Sequence, residues 1–417
     1  MKTLLTNAGW SAAAHLLERG SLVLVSIILS RMLDTAGFAA YGYFQMTVSM
    51  LAAYAAMGLG VTSSKFFAES DQLSPGAMPP LGTLWVLSVL SGLLLALVIL
   101  LVPSSWIESG LNVPSWLLAT GVFVLSLGVT PGGGILGLER YVEATWASAA
   151  SSITVVGGAL IAGSYASPQA AMVVFIFASF VQASINSWIV ARAIGLQRLF
   201  VSMSIRRADL RKVFHLAGPM VTVTLLASSG TWLVGRILLS VPSGEHQFSL
   251  YVIGLQWLAL VLYLPGMITR VIFPQLVKAR LDENSIERSQ TSVLLRQGML
   301  LTSTAALSIC CIAILLSPWL MDLYGAQYTS YRWLIVWFML AALPMAPAGT
   351  LGNGIIANNS QWAWLFITAV WFVSLITLTY SQKHFGAPGA AISYGCAALI
   401  QTVLAYLVAR RRGLIRD

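Results

Sequence analysis

Residues 8–33 have the sequence AGWSAAAHLLERGSLVLVSIILSRML, a mainly apolar run long enough to cross a bilayer as one helix. The run nevertheless carries His15, Glu18 and Arg19 near its middle. An arginine at the centre of a spanning helix costs roughly 2.5 to 3.5 kcal/mol on insertion scales, so it normally faces a partner or a water-filled cavity. The stretch therefore predicts a transmembrane helix with a polar site inside the membrane.

The composition of the whole chain is that of an integral membrane protein. Of its 417 residues, 58% are hydrophobic and 9% are charged, whereas about a quarter of the residues of a soluble domain are charged. Apolar runs of about 20 residues recur along the chain, and no segment between them is long enough for a soluble domain. Each run is expected to be helical, because lipid offers no partner for unpaired backbone groups.

The apolar runs predict an all-α protein with twelve transmembrane helices. They cover residues 8–33, 38–66, 80–102, 114–137, 141–163, 169–195, 213–241, 247–276, 293–317, 331–352, 361–380 and 387–409. The even number places both termini on one side of the membrane. The first run is interrupted by charged residues, unlike the apolar core of a cleavable signal peptide, so we expect this helix to be retained.

The distribution of basic residues predicts the orientation. Eighteen of the 23 lysines and arginines lie in connections on the side of the N-terminus, whereas Arg31, Arg332 and Lys383 lie on the opposite side. By the positive-inside rule, both termini are cytoplasmic, as expected for a multi-pass protein of a bacterial inner membrane. This orientation explains the net charge of +9. The sequence has no basic stretch interleaved with aromatic residues, the pattern that would indicate a nucleic-acid partner.

Cysteines offer no metal or redox chemistry. Cys310, Cys311 and Cys396 fall inside apolar spans, without the spacing of metal ligands or of a disulfide framework. They are expected to behave as small hydrophobic residues.

Three pairs of matching motifs indicate that the two halves of the chain repeat. Ala8-Gly9 matches Ala217-Gly218 at a separation of 209 residues, and Tyr41 matches Tyr251 at 210. The run PGGGILG at 131–137 resembles PAGTLGNG at 347–354, at a separation of 216 to 217. Matches in register at nearly constant spacing favour two six-helix lobes of the same topology, enclosing a central cleft as in alternating-access transporters.

The predicted lobes comprise residues 1–198 and 213–417. Between them, residues 199–212 form a basic cytoplasmic linker with apolar residues and clustered arginines. Such a segment suits an amphipathic helix on the anionic inner leaflet, although a simple positive-inside loop explains it equally well.

The charged residues of the first span are the main candidates for the site. His15 shares a helix face with Glu18 and with Arg19, at spacings of three and four residues. In the functional interpretation, Arg19 faces the cleft and binds an anionic group, since a guanidinium matches phosphate in a bidentate manner. In the alternative, an ion pair of Arg19 with Glu18 or with another helix holds the lobe together.

Three further charged residues are secondary candidates. Arg236 lies close to a predicted helix end, where extension of its side chain to the interface explains it as well as substrate contact does. Arg270 is better explained as an interfacial anchor, although with Arg19 and Arg236 it would complete a discontinuous cationic track. Glu143 is explained by the dipole of the helix that it begins. Glu143 or the pair of His15 and Glu18 are also candidates for coupling transport to H⁺ or Na⁺; no other cofactor is expected.

Four motifs carry a resemblance to a known family. They are NAGW at 7–10, SRMLDTAGFAAYGYF at 30–44, MGLG at 57–60 and GLERY at 137–141. With the length and the two-lobe layout, they resemble the polysaccharide-transporter branch of the multidrug/oligosaccharidyl-lipid/polysaccharide (MOP) exporter superfamily. Within that branch, the chain is most similar to the O-antigen flippases (Wzx).

The resemblance implies a flippase that is not an enzyme. It implies transport of an undecaprenyl-pyrophosphate-linked oligosaccharide from the cytoplasmic to the periplasmic leaflet, in lipopolysaccharide biosynthesis, with membrane lipids as surroundings. An O-antigen polymerase and a chain-length regulator are the implied protein partners. Related lipid flippases place arginines in the first and eighth helices, and Arg19 and Arg270 match this pattern. The lipid II flippases differ from this chain in usually having fourteen helices.

Two other classes of function remain open at the level of sequence. A cation-coupled drug or metabolite exporter of the multidrug and toxin extrusion (MATE) type would need a cleft dominated by carboxylates, whereas the deepest charge here is an arginine. A membrane polysaccharide polymerase or glycosyltransferase would need a sizeable extramembrane loop, and no predicted periplasmic connection supplies one.

Overall fold

The computed structural model describes residues 2–56, 58–70, 81–103, 110–201, 207–281 and 285–415. Throughout these ranges the regular structure is helical, which confirms the all-α prediction. The chain forms two compact units, Met1–Leu225 and Leu226–Asp417. The predicted division into 1–198, 199–212 and 213–417 stays a prediction.

Unit 1 contains eight complete helices among the described residues. They are α1 Lys2–Met32, α2 Thr35–Ala56, α3 Leu59–Ser70, α4 Leu81–Leu101, α5 Ser115–Gly137, α6 Tyr141–Ser164, α7 Pro168–Ile194 and α8 Leu196–Val201. The next helix, α9 (Arg207–Leu239), contains the boundary between the units.

Unit 2 continues from α9 with long helices and two short 3₁₀ turns. The helices are α10 Gly244–Val261, α11 Tyr263–Leu281, α12 Ser285–Asp322, α13 Arg332–Ala357, α14 Gln361–Ser381 and α15 Ala387–Arg411. The 3₁₀ turns are Ala326–Tyr331, before α13, and Lys383–Phe385, before α15.

Eleven helical segments of the described chain are long and apolar enough to cross a membrane, one fewer than the twelve predicted. The difference is the predicted span at 38–66, which is divided between α2 and α3; α2 has 22 residues and is long enough to cross, but it is less apolar than the eleven counted segments. Gly58 at the division has φ +73°, a conformation that interrupts a right-handed helix and that glycine adopts without steric cost. The expectation of one continuous helix over this range was therefore wrong.

The starts of α2 and α7 show how local sequence sets helix boundaries. The Asp34 carboxylate accepts a hydrogen bond of 2.9 Å from the Gly37 amide, and Ser167 Oγ accepts one of 3.2 Å from the Ala170 amide. Both side chains satisfy amide groups that have no partner in the first turn of a helix. Proline at position 168 begins α7, where its missing amide hydrogen is not needed.

The connections after α5 and α13 have the same backbone conformation. Glu139 follows α5 with φ +56°, and Asn359 follows α13 with φ +52°. In each case the next amide donates back into the helix, from Arg140 to Ile135 O at 3.0 Å and from Ser360 to Ile355 O at 3.1 Å. This matched helix ending supports the internal repeat. The equivalent helices differ in length, 23 residues in α5 and 26 in α13, so the separation of matching residues is not constant along them.

Each unit also has a close contact between a glycine and a phenylalanine at matching positions, and the two residue types are exchanged between the matching helices. In unit 1, a Cβ placed on Gly121 of α5 would lie 3.3 Å from the Phe44 ring of α2. In unit 2, a Cβ placed on Gly254 of α10 would lie 2.1 Å from the Phe338 ring of α13. Helix α5 corresponds to α13, and α2 corresponds to α10. The glycine is therefore on α5 in unit 1 but on the helix that corresponds to α2 in unit 2.

The run PGGGILG brings α5 into close contact with α3. A Cβ on Gly133 would lie 2.3 Å from the carbonyl oxygen of Gly60, and a Cβ on Gly137 would lie 2.2 Å from that of Ser64. Ser63 Oγ also donates to Thr130 O at 2.7 Å across the same interface. Small residues allow this approach of two backbones, which van der Waals contact stabilises in membrane proteins.

We predict that Gly133→Ala lowers stability, because the added methyl group overlaps the α3 backbone. Overpacking of this kind costs about 1 to 3 kcal/mol. Gly132→Ala is the matched control, since a Cβ at Gly132 meets nothing within 4 Å. Thermal unfolding of the purified protein in detergent measures both variants. Equal unfolding temperatures for the two would contradict this description of the α3–α5 contact.

Candidate functional site

Within unit 1, helices α1, α5, α6 and α7 surround a cavity of about 470 Å³. Its apolar side is formed mainly by α5, with Val124, Leu125, Val129 and Ile135. Its polar side comes from α1, α6 and α7, and includes the three charged candidates of the first span, His15, Glu18 and Arg19. The cavity therefore has one apolar wall and one polar wall, as many ligand-binding sites do.

Glu18 is the most connected of these residues. Its Oε1 accepts hydrogen bonds from Ser148 Oγ of α6, at 2.9 Å, and from Gln182 Nε2 of α7. His15 Nδ1 lies 3.5 Å from the other carboxylate oxygen. The Glu18 side chain is 35% exposed, and a carboxylate partly removed from water is costly unless it is hydrogen-bonded or paired. These contacts satisfy the carboxylate and tie α1 to both neighbouring helices.

Arg19 differs from Glu18 although the two residues are adjacent. Successive residues of a helix point about 100° apart, so the two side chains leave α1 in different directions. Arg19 lines the cavity, is exposed, and forms no hydrogen bond or ion pair with the rest of the described chain. In particular, the alternative of a Glu18–Arg19 ion pair is not observed among the described residues. The guanidinium is left available to a ligand.

Polar residues of α6 and α7 complete this wall, and our sequence analysis missed them. They are Ser148, Ser151 and Ser152 on α6 and Ser179, Gln182 and Asn186 on α7. Ser148 precedes Ser151 and Ser152 by three and four residues, and Gln182 lies three residues after Ser179 and four before Asn186, so each set lies on one side of its helix. A search for polar residues at helical spacing inside apolar spans would have found them, but only the packing shows that both faces meet Glu18.

Glu143, another predicted site residue, does not line this cavity. Glu143 pairs with Arg140 at 2.9 Å in the first turn of α6, and both side chains are exposed. Arg236 lies in α9 in the second unit, where its Cζ is 5.4 Å from the centre of the Trp232 ring. Arg270 belongs to α11, but its side chain lies outside the described residues. The cationic track through Arg19, Arg236 and Arg270 stays a prediction.

Comparison with protein families identifies the chain. The model of the family described as "polysaccharide biosynthesis protein" matches residues 4–280. The chain belongs to this family. The resemblance found in the sequence motifs is therefore confirmed for the family. No curated protein sequence matches the chain.

Comparison with solved structures shows the fold of the chain. An inward-facing multidrug resistance MATE transporter of the MOP superfamily matches with a TM-score of 0.75 and 15% identity, covering 94% of both chains. A MOP superfamily transporter from Pyrococcus furiosus matches with a TM-score of 0.74 and 14% identity, covering 99% of this chain and 95% of the other. An outward-facing MATE transporter matches with a TM-score of 0.72 and 14% identity, covering 97% and 94%. The protein has the all-α MOP transporter fold.

We predict that Glu18→Leu destabilises the protein by about 1 to 3 kcal/mol, because the Ser148 and Gln182 donors lose their acceptor. The double variant Glu18→Leu/Gln182→Leu should recover part of this loss, since one unsatisfied donor is then removed. Thermal unfolding in detergent measures both.

Glu143→Gln is the control for loss of a carboxylate. Its exposed pair with Arg140 should contribute at most about 0.5 kcal/mol. A Glu18→Leu variant as stable as Glu143→Gln would show that Glu18 is not the anchor of this wall.

Proposed function

We propose that the protein is a flippase for an undecaprenyl-pyrophosphate-linked oligosaccharide, an O-antigen repeat unit or a similar saccharide. It would move this lipid from the cytoplasmic to the periplasmic leaflet by alternating access. The observation that carries the proposal is the unpaired guanidinium of Arg19 in the cavity of unit 1. Membership of the polysaccharide biosynthesis family and the MOP transporter fold support it.

Phosphate recognition follows from the charges of the cavity. A guanidinium keeps its charge at any relevant pH and offers a planar set of donors to phosphate oxygens. The neighbouring carboxylate of Glu18 leaves α1 in a different direction from Arg19 and accepts hydrogen bonds from Ser148 and Gln182. Its negative charge is thereby stabilised, and Arg19 provides the cation that faces the ligand.

Three further proposals concern the membrane orientation, the coupling ion and the protein partners. We place the protein in a bacterial inner membrane with both termini cytoplasmic, on the asymmetry of its basic residues. Coupling to H⁺ or Na⁺ would use Glu18 and His15, or Glu143. An O-antigen polymerase and a chain-length regulator would receive the product.

Fusion of a fluorescent or a phosphatase reporter to the C-terminus tests the orientation, since only the fluorescent fusion should be active.

A second candidate function is export of cationic drugs or metabolites. The similarity to multidrug resistance MATE transporters favours it. The polarity of the pocket is not constant within this fold, because a reversed polarity was reported for the Pyrococcus furiosus transporter and suggested a different function. In the present chain, the engaged Glu18 and the unpaired Arg19 favour an anionic ligand. A drug-sensitivity panel on a deletion strain separates the two candidates.

A third candidate, a membrane polymerase or glycosyltransferase, is disfavoured by the MOP transporter fold. Sugar-polymerising activity of the purified protein would overturn the flippase proposal.

We predict that Arg19→Ala loses flipping by tenfold or more in proteoliposomes, because a hydrogen bond to a charged group contributes about 1.5 to 3 kcal/mol. Arg19→Lys should be partly active, since it keeps the charge but not the bidentate geometry. The measurement is the rate at which a fluorescent lipid-linked oligosaccharide becomes accessible in the opposite leaflet.

Arg192→Ala is the matched control for this experiment. Arg192 is an exposed cation of α7 whose Cζ lies 5.4 Å from the centre of the Trp188 ring, and it does not line the cavity. Its removal should leave flipping unchanged. An Arg19→Ala variant that flips at the wild-type rate would refute the assignment of the anion site.

A further inference from the structure

Five serines that line the cavity beside Arg19 donate their hydroxyl hydrogens to other groups of the protein. Ser148 Oγ donates to Glu18, as described above. Four other serine hydroxyls that line the cavity donate to backbone carbonyls: Ser21 to Glu18, Ser151 to Ala178, Ser152 to Leu17 and Ser179 to Phe175. A hydroxyl has one hydrogen to donate but two lone pairs that accept. The five serines therefore present mainly acceptor oxygens to a ligand.

Asn186 adds an acceptor that has no partner. The residue lines the cavity one turn beyond Gln182 on the same face of α7, and it is 9% exposed. Its Oδ1 is buried and receives no hydrogen bond from any described residue. A buried polar atom normally has a partner, and a group left without one costs free energy. Because the side-chain amide of asparagine rotates readily, its oxygen can turn toward a ligand in the cavity.

The wall thus combines one cation with many acceptors. Arg19 requires an anionic or acceptor group, whereas the serine oxygens and Asn186 require hydrogen-bond donors. A phosphate has only the first property, and a hydrocarbon tail has neither. A sugar that carries a phosphate has both, since each of its hydroxyls can donate.

We propose that this acceptor wall is a sugar subsite, and that Asn186 accepts a hydrogen bond from a hydroxyl or amide N–H of the sugar next to the phosphate. This inference rests on the proposed function and extends it. Arg19 binds the phosphate of any prenyl diphosphate carrier, whereas Asn186 favours a carrier that bears a sugar. Asn186 is thus a residue for specificity, distinct from the anion site.

A competing occupant of an acceptor wall is a cation. Acceptor oxygens also suit Na⁺ or an organic cation, and Glu18 contributes a negative charge to the cavity. The adjacent guanidinium of Arg19 opposes this occupant, because like charges repel strongly where water is excluded. The experiment therefore includes a cationic probe.

The test compares two probes on the purified full-length protein. One is farnesyl diphosphate, and the other is the same lipid with a single hexose on its diphosphate. Dissociation constants are measured for wild type and for Asn186→Leu, which replaces the carboxamide by an apolar group with the same branching of heavy atoms. The ratio is the dissociation constant of farnesyl diphosphate divided by that of its hexose derivative, and it should exceed one for wild type. Asn186→Leu should lower this ratio by about threefold to tenfold, as expected for one neutral hydrogen bond.

Two other variants serve as controls on the ratio of the two constants. Arg19→Ala should weaken both probes by the same factor and so leave the ratio unchanged. Ser179→Ala should lower the ratio to a smaller extent, since it removes one acceptor of the same wall. Its hydroxyl bonds only to the carbonyl of Phe175 within its own helix, so the fold should be preserved.

The outcomes separate this inference from the proposed function. If neither probe binds wild type, the proposed function fails, and the inference fails with it. If both probes bind and Asn186→Leu keeps the wild-type ratio, only the sugar subsite is refuted. If tetraphenylphosphonium binds, and Asn186→Leu weakens its binding while the ratio for the other probes is kept, the wall is a cation site.

Discussion

The hydrogen bonds of Glu18 are the constraint on which the structure of unit 1 depends. An ionised carboxylate is tolerated within a bundle of apolar helices only when donors from its surroundings satisfy it. Here the donors come from two other helices, Ser148 of α6 and Gln182 of α7. The three helices are thereby held around a polar space instead of closing into an apolar core. The cavity and its single unpaired guanidinium follow from this arrangement.

Hydrogen-bond accounting also connects the structure to function. Five serine hydroxyls around the cavity donate to the protein itself, so what they offer a ligand is mainly their lone pairs. Beside them, Arg19 offers donors and a positive charge. A wall with this combination matches a molecule that is anionic at one point and rich in hydroxyls at another. This chemistry, more than the shape of the fold, distinguishes a lipid-linked saccharide from the cationic compounds of a multidrug exporter.

The two units share features of one plan but carry different basic residues. Matching positive-φ residues, Glu139 and Asn359, end equivalent helices, and a phenylalanine–glycine contact recurs with its partners exchanged. The exchange explains why the repeat is faint in the sequence, since the two residues can trade places without changing the contact. The basic residues differ more: Arg19 is unpaired in unit 1, whereas Arg236 in unit 2 lies over Trp232. The described repeat therefore concerns packing, and the cavity with the unpaired guanidinium belongs to unit 1.

By itself, the sequence determined the properties that depend on hydropathy and on residues close together in the chain. These are the membrane class, the helical spans, the family, and the depth of Arg19 within the first helix. Hydrophobic length and i, i+4 spacing act locally, so they can be predicted without knowing the fold.

Only the tertiary structure decided which side chains complete the site. The partners of Glu18 lie 130 and 164 residues away, and no local pattern links them. The unsatisfied oxygen of Asn186 is likewise a property of its surroundings, as is the close backbone contact at Gly133. The break at Gly58 was also missed, because the apolar run continues through it and hydropathy is insensitive to backbone conformation. Packing between distant helices, and not local sequence, determines whether a polar residue is satisfied or available to a ligand.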